Sequence, residues 1–405
     1  MMKTQGQSDP LVTVLALVAT VVGLLAVWDS GYARAAVNGQ LVPRELQSQI
    51  VFSLVSVVVG VLVSRMRPSR MRKAAWVGLF LVVVGMVLVE LPGVGKEING
   101  ARRWIDFRLF TVQPAEFAKL AVIVFLAALL AAWKPVKAKA VKHWGEAVDR
   151  IWMPRLAKAF PALLVVVTIL MVERERDLGT MMVVVAAGFG TLFVAGADKR
   201  LLACLAAAAL VTGGAFIFKE SYRSDRIANH IHRWNDDNVD GPGYQTTQSE
   251  TALAQGGLLG VGLGNGRAKH VLPAPTTDFV LATVGEEFGL VGSLAVIGLL
   301  AAVTWRLMVR ALASQDVFAR GVLGGVAAWI AFQTTVNVLM VNGAFPPVGV
   351  PLPFVSAGGS SLVALWAAVG LCQAVLCGEK VVVKEEEDAS GRDGWRHGRP
   401  RVSRA

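Results

Sequence analysis

Leu178-Gly179-Thr180-Met181-Met182-Val183-Val184-Val185-Ala186-Ala187-Gly188-Phe189-Gly190-Thr191-Leu192-Phe193-Val194 contains no charge and no proline. It is bounded by Glu173–Asp177 on one side and by Lys199 and Arg200 on the other. A helix of this length and composition suits a hydrocarbon core about 30 Å thick. Working outward, similar apolar runs recur near Leu11–Trp28, Leu46–Val63, Trp76–Leu91, Ala115–Trp133 and Phe160–Val172 before it. After it come Leu201–Phe218, Phe279–Trp305, Gly321–Val341 and Ser361–Leu376. The pattern predicts an all-α, polytopic membrane protein with about ten transmembrane helices. The intervening Glu173–Asp177 is read as a tight external turn, because consecutive charges are costly at the membrane midplane.

Composition agrees. Of 405 residues, 54% are hydrophobic and only 17% charged, with mean hydropathy +0.55. Soluble domains are charged over about a quarter of their residues. A disordered chain and an ordinary soluble enzyme are therefore excluded. The net charge of +11 sits in short basic clusters between apolar runs, the pattern of orientation signals and anionic-lipid contacts, so no nucleic-acid partner is expected. Cys204, Cys372 and Cys377 show neither metal-ligand spacing nor a disulfide framework. Ala33-Arg34-Ala35 faintly resembles a cleavage site, but the length of the first run and the spans behind it favour an uncleaved helix.

Basic residues set the direction. Arg65, Arg67, Arg70, Arg72 and Lys73 follow the second span, and Lys134, Lys137, Lys139, Lys142, Arg150 and Arg155 follow the fourth. Lys199 and Arg200 follow the sixth, and Arg306, Arg310 and Arg320 the eighth. All are even-numbered loops, which places them and both termini in the cytoplasm. The expected organisation is a membrane unit over residues 1–378, with a large extracytoplasmic loop at 220–277 between helices 7 and 8. A disordered cytoplasmic tail at 379–405 completes it. The glycines of the 220–277 loop, set beside Trp234, Tyr244 and several arginines, suggest a folded, ligand-facing surface.

The outward loops hold the candidate chemistry. Asn99-Gly100-Ala101-Arg102-Arg103-Trp104-Ile105 precedes Gln113-Pro114-Ala115-Glu116-Phe117-Ala118-Lys119. Pro114 suits a first helical turn, and Glu116 and Lys119 then share one face as an ion pair. That pair either fixes helix register or shapes a polar cavity; Arg102, Arg103 and Trp104 either bind ligand or anchor the interface. In the long loop, Arg226 precedes His230, His232, Arg233 and Trp234. Arginine is a natural phosphate clamp, whereas the histidines lack a metal-site partner at diagnostic spacing. Thr277-Asp278-Phe279 follows, with Glu286 and Glu287 deeper in the span. Asp278 is either a helix cap or a carboxylate whose partial desolvation tunes it as a general base. Glu286 and Glu287 are read as helix-packing residues beside Gly285 and Gly289, with unidentified partners. The proline- and glycine-rich Asn342–Ser361 cannot form a regular helix and should wall a cavity.

These motifs resemble the SEDS family (shape, elongation, division and sporulation), whose members include RodA, FtsW and SpoVE. The likeness rests on Gly100–Ile105, Gln113–Lys119, Asp177-Leu178-Gly179-Thr180, Thr277-Asp278-Phe279 with Gly285-Glu286-Glu287, and Pro351-Leu352-Pro353-Phe354 with Gly358-Gly359-Ser360-Ser361. It implies a ten-helix peptidoglycan glycosyltransferase that polymerises lipid II on the outer face of the cytoplasmic membrane, in elongation, division or sporulation. A class B penicillin-binding protein would supply crosslinking. The implied catalytic residue is Asp278. Implied substrate contacts are Arg102, Arg103, Trp104, Gln113, Glu116, Lys119, Arg226, Thr277 and Ser360. The sequence departs from the family pattern at Glu175-Arg176, where Gln-Pro is usual, at Pro273–Thr276, where Pro-Glu-x-His is usual, and at Ala357, where a tyrosine is usual. A divalent cation (Mg or Mn) is an optional cofactor. The rival functions are a lipid-linked-sugar flippase or transporter, which predicts intramembrane charge between both faces, and a non-enzymatic scaffold for the penicillin-binding protein.

Overall fold

The computed structural model describes residues 3–37, 39–40, 42–98, 101–108, 110–133, 160–219, 221–378 and 380–382. The basic stretch 134–159 and most of the expected tail, 383–405, lie outside the described residues.

Each expected span falls within a helix or runs past its end by at most three residues, the first seven helices being α1 (Pro10–Val37), α2 (Arg44–Ser64), α3 (Pro68–Glu90), α4 (Pro114–Ala132), α5 (Leu163–Arg174), α6 (Leu178–Ala195) and α7 (Lys199–Lys219). The expected insertion is folded into α8 (Ser221–Ile231), α9 (Asp236–Val239), α10 (Tyr244–Gly256) and α11 (Ala268–Val271). The long α12 (Val280–Ala313), α13 (Val317–Val341) and α14 (Gly359–Gly378) complete the bundle. Among the described residues, eight helices are long and apolar enough to cross a membrane. Local chemistry sets several boundaries. Pro68 and Pro114 open α3 and α4, where a missing N–H costs nothing. Asp177 caps α6 by accepting from the Thr180 N–H, and Gly196 ends it in the left-handed conformation.

The all-α expectation needs one correction. Gly95–Ile98 (β2), Ala101–Asp106 (β3) and Thr111–Val112 (β4) form a three-stranded antiparallel sheet. Lys96 and Asp106, 3.1 Å apart, help hold it. Lys3–Gln5 (β1) also pairs antiparallel with Lys380–Val382 (β5), so those three residues of the expected tail are extended.

The centre of the bundle is α13, packed on α6, α12 and α4, while α14 lies along α2. Outer helices expose Leu54, Val58, Phe80 and Leu81, surfaces that hydrocarbon tolerates and water would not. Between α2 and α14 the backbones touch. A Cβ on Gly370 would lie 2.1 Å from the Gly60 carbonyl oxygen, the small-residue contact through which apolar helices associate in lipid. Gly370→Leu is expected to push α2 away and destabilise the protein by about 1–3 kcal/mol or more. A lowered melting temperature in detergent, with Gly370→Ala intermediate, is the check.

Helix α12 is broken at Gly289, whose φ is 66°. Glycine-rich 256–266 fills the break: Val261 N–H donates to Glu286 O, Gly262 N–H to Glu287 O, and the Leu290 and Val291 N–H groups to Gly257 O and Leu258 O. Backbone groups freed by the kink are thus satisfied within protein, as apolar surroundings require. Helix α1 runs antiparallel to α12. Asp9 at its start meets Arg306 (2.7 Å) and Arg310 (3.4 Å), and Asp29 near its end meets Lys269 (2.9 Å) beside Glu287.

Candidate active site

Asp278 lies in the short connection between α11 and α12. The capping position of α12 is taken by Phe279, without any side-chain cap. The Asp278 carboxylate is therefore not used as a cap, and of the two roles open from the sequence this removes the structural one. What fixes Asp278 is its backbone: Asn337 Nδ2 on α13 donates to the Asp278 carbonyl (2.9 Å) and to Val350 O (2.7 Å). Ser356 Oγ donates to Thr277 O (2.6 Å) and accepts from Leu352 N–H (2.8 Å), while Ala357 N–H donates to Thr276 O (2.9 Å). The Pro- and Gly-rich segment is thereby laced to the Thr276–Asp278 turn and packs beside Asp278. Gly349 (φ 71°) passes the carboxyl so closely that a Cβ there would sit 3.6 Å from Asp278 Oδ2.

The charges acting on Asp278 come from the α5–α6 turn and from the sheet. Asp177 Oδ1 accepts from Thr180 N–H (2.9 Å), and its Oδ2 accepts from Thr180 Oγ (2.9 Å) and Gln113 Nε2 (3.0 Å). Arg103 on β3 clamps the turn, donating from Nε to Glu175 O (3.0 Å) and from Nη2 to Arg176 O (2.7 Å), with Nη1 4.0 Å from Asp177 Oδ2. Arg176 adopts a left-handed φ of 57° there. Burial first, then the negative charge of Asp177, pushes the Asp278 carboxyl up to about 6, and Arg103 pulls it partly back. That is the range suited to a general base near neutral pH.

The other expected site residues fall in distinct places. Gln113 belongs to the cluster through Asp177, and its N–H donates to Ser360 Oγ (3.0 Å), which joins Ser360 to the same wall. Glu116 and Lys119 pair at 2.7 Å, fully buried, and Lys119 lies 3.5 Å from Gln333 Oε1. Gln333 in turn accepts from Trp329 Nε1 (2.7 Å) and donates to Pro351 O (2.8 Å). This pair therefore braces α4 and α13 against the wall loop. Arg102 points away from Arg103, as strand alternation demands, and pairs with Glu97 at 3.3 Å on the exposed side. Trp104 is partly buried on β3, opposite Lys96. Arg226 is partly buried on α8, which packs against α7.

Sequence reasoning assigned no site role to Glu175, Asp177, Gln333 or Asn337. Asp177 carried a signal as the first residue of Asp177-Leu178-Gly179-Thr180, and Glu175 as a departure from the family pattern. The partners it left unnamed for Glu286 and Glu287 are now visible. Glu286 accepts from the N–H groups of Arg267 (2.9 Å) and Ala268 (2.7 Å), and Glu287 from those of Gly264 (3.0 Å) and Gly266 (3.0 Å) and from Lys269 Nζ (2.6 Å). Among the described residues, no three carboxylate, histidine or cysteine side chains form a metal-binding group. The optional divalent cation thus has no fitted ligand set there.

A family described as "Cell cycle protein", comprising FtsW, RodA and SpoVE, matches residues 9–380. A protein named probable peptidoglycan glycosyltransferase FtsW from Trichlorobacter lovleyi is 33% identical over 383 residues, 94% of this chain and 96% of that one. Stage V sporulation protein E of Bacillus subtilis is 33% identical over 366 residues, 90% of this chain and 95% of that one. Among solved structures, a chain of a peptidoglycan synthase complex that coordinates polymerization and crosslinking superposes with a TM-score of 0.70 at 27% identity, covering 91% of this chain and 97% of its own. The rod shape determining protein RodA of Thermus thermophilus gives a TM-score of 0.63 at 26% identity, covering 91% and 96%.

Proposed function

The chain belongs to the FtsW/RodA/SpoVE family, the SEDS proteins, and from that membership and the geometry of Asp278 we infer how it works. It is a multi-pass membrane peptidoglycan glycosyltransferase. Its substrates are lipid II and the growing glycan strand, and the enzyme adds lipid-linked disaccharide units with inversion. Asp278 takes the proton of the GlcNAc 4-hydroxyl as that oxygen bonds to the anomeric carbon of the lipid-linked MurNAc. The bond from that carbon to the diphosphate breaks, and the polyprenyl diphosphate leaves with the electron pair. Arg103 supplies positive charge where negative charge develops, with Arg102 and Arg226 as further contacts to the head group. Trp104, Gln113, Thr277 and Ser360 line or support the pocket, and the Glu116–Lys119 pair keeps its shape.

The pairing of Lys3–Gln5 with Lys380–Val382 supports ten spans with both termini cytoplasmic. Residues 1–378 then form the membrane unit, and 220–277 and Asp278 face outward from the cytoplasmic membrane. The crosslinking partner is a class B penicillin-binding protein, held among the membrane lipids beside it. One observation supports the mechanism: Asp278 is a buried carboxyl outside the capping position of α12, within electrostatic reach of an arginine that the α5–α6 turn holds in place.

The test is incubation of the reconstituted full chain with labelled lipid II, with and without the transpeptidase, followed by gel analysis. A ladder of glycan products is expected. Lipid II crossing the bilayer without a ladder would instead identify a flippase. Neither activity under either condition would identify a scaffold.

A further inference from the structure

Glu175 is 2% exposed, and among the described residues neither oxygen of its carboxylate has a hydrogen-bond partner. Every other acid of this cluster is accounted for. Asp177 accepts hydrogen bonds from Thr180 and Gln113 and lies 4.0 Å from Arg103, and Asp278 is the base. One cation, Arg103, serves all three, and its guanidinium is already bonded to the carbonyls of the turn. A buried carboxylate left without a donor is expensive, whereas a carboxylic acid in the same place is not.

We propose that Glu175 is a positioning residue for glycosyl transfer: held neutral, it leaves the charge of Arg103 to Asp177 and Asp278, and on ionising it withdraws that charge and shuts the site down. The proposal rests on the glycosyltransferase reading. The groups facing Glu175 are Asp177 at the start of α6, Arg103 on β3 and Glu90 at the end of α3, the last also 3.3 Å from Arg174. Burial first, then Asp177, raises the Glu175 carboxyl to about 8 against the pull of Arg103, with Glu90 adding to the rise. The acid is therefore neutral at pH 7 and ionises within a unit or two above it. A glutamine, which the family pattern usually places here, mimics the neutral form and cannot ionise.

The experiment measures initial polymerisation rates of the reconstituted chain on labelled lipid II between about pH 6.5 and 9.5 for wild type, Glu175→Gln and Glu175→Asp, with melting temperatures at each pH. The wild-type rate should fall about fivefold between pH 8 and 9 as the neutral form is titrated away. Glu175→Gln should match wild type within about twofold at pH 7 and lose the alkaline fall, while Glu175→Asp should retain it. The wild-type melting temperature should fall as pH rises toward about 8 and level off above it, and that of Glu175→Gln should show no such fall. An unchanged alkaline fall in Glu175→Gln, no fall in wild type, equal loss at every pH, or failure of the glutamine variant to fold would each overturn the proposal. If wild type makes no polymer at any pH, the function is wrong, yet the melting temperatures still report whether Glu175 ionises in this range.

Discussion

Asp278→Asn is expected to abolish the glycan ladder, lowering polymerisation by about 10²–10⁴-fold, the usual contribution of a positioned proton acceptor. Asparagine keeps the shape of the side chain but cannot take the hydroxyl proton. The loss should come without unfolding, because the contacts that hold this segment use backbone atoms: Asn337 on Asp278 O, Ser356 on Thr277 O, and Ala357 on Thr276 O. The sign of the pH dependence follows from the tuned carboxyl. A base raised to about 6 must be ionised to act, so the wild-type rate should fall as pH drops through 6. Stability runs the opposite way. A carboxyl raised on folding holds its proton more tightly in the native state, so its stabilising contribution is complete below the ordinary carboxylate range and lost as pH rises through about 6. At pH 7.5 the asparagine variant should thus melt no lower than wild type while making no polymer. Normal polymerisation by that variant would remove Asp278 from the mechanism.

How much of this was readable in the residues depends on the range of each interaction. The spans were legible because length and apolarity are local properties, and so was the Glu116–Lys119 pair, three residues apart on one helix. The wall was legible because its prolines and glycines forbid a helix. The small sheet was missed because its strands are short and sit among loop-like residues. With it went the difference between neighbours: alternation along β3 turns Arg103 to the α5–α6 turn and Arg102 to Glu97. Glu175 and Asp177 lie far in sequence from Asp278, and no spacing rule links them. The residues usual in the family beside the base, a glutamate and a histidine, are absent here, yet carboxyls still reach its surroundings from another loop. Asn337 and Gln333 act on backbone carbonyls, which leave no trace in a sequence. The same holds for Glu286 and Glu287, whose acceptor roles are mostly toward backbone N–H groups.

Those two glutamates lead to the second large effect. Lys269 is 3% exposed and bridges Asp29 on α1 (2.9 Å) and Glu287 on α12 (2.6 Å). It joins the loop before the active site to two helices at the point where α12 is broken. Lys269→Met fits the space with an apolar chain of similar length but leaves the buried Glu287 and the partly buried Asp29 facing each other without a cation. Breaking a buried pair in this way costs about 3–5 kcal/mol, a large part of the roughly 5–15 kcal/mol that holds a typical domain together. The variant should give little monodisperse protein in detergent and a sharply lower melting temperature. The cause can be separated from lost packing by adding Asp29→Asn. With one carboxylate neutralised, the remaining Glu287 still accepts from Gly264 and Gly266, so the double variant should recover a substantial part of the loss. If the double variant is no more stable than Lys269→Met alone, the triad does not act through charge. If Lys269→Met melts like wild type, the loop owes its position to the backbone cradle of Glu286 and Glu287 alone.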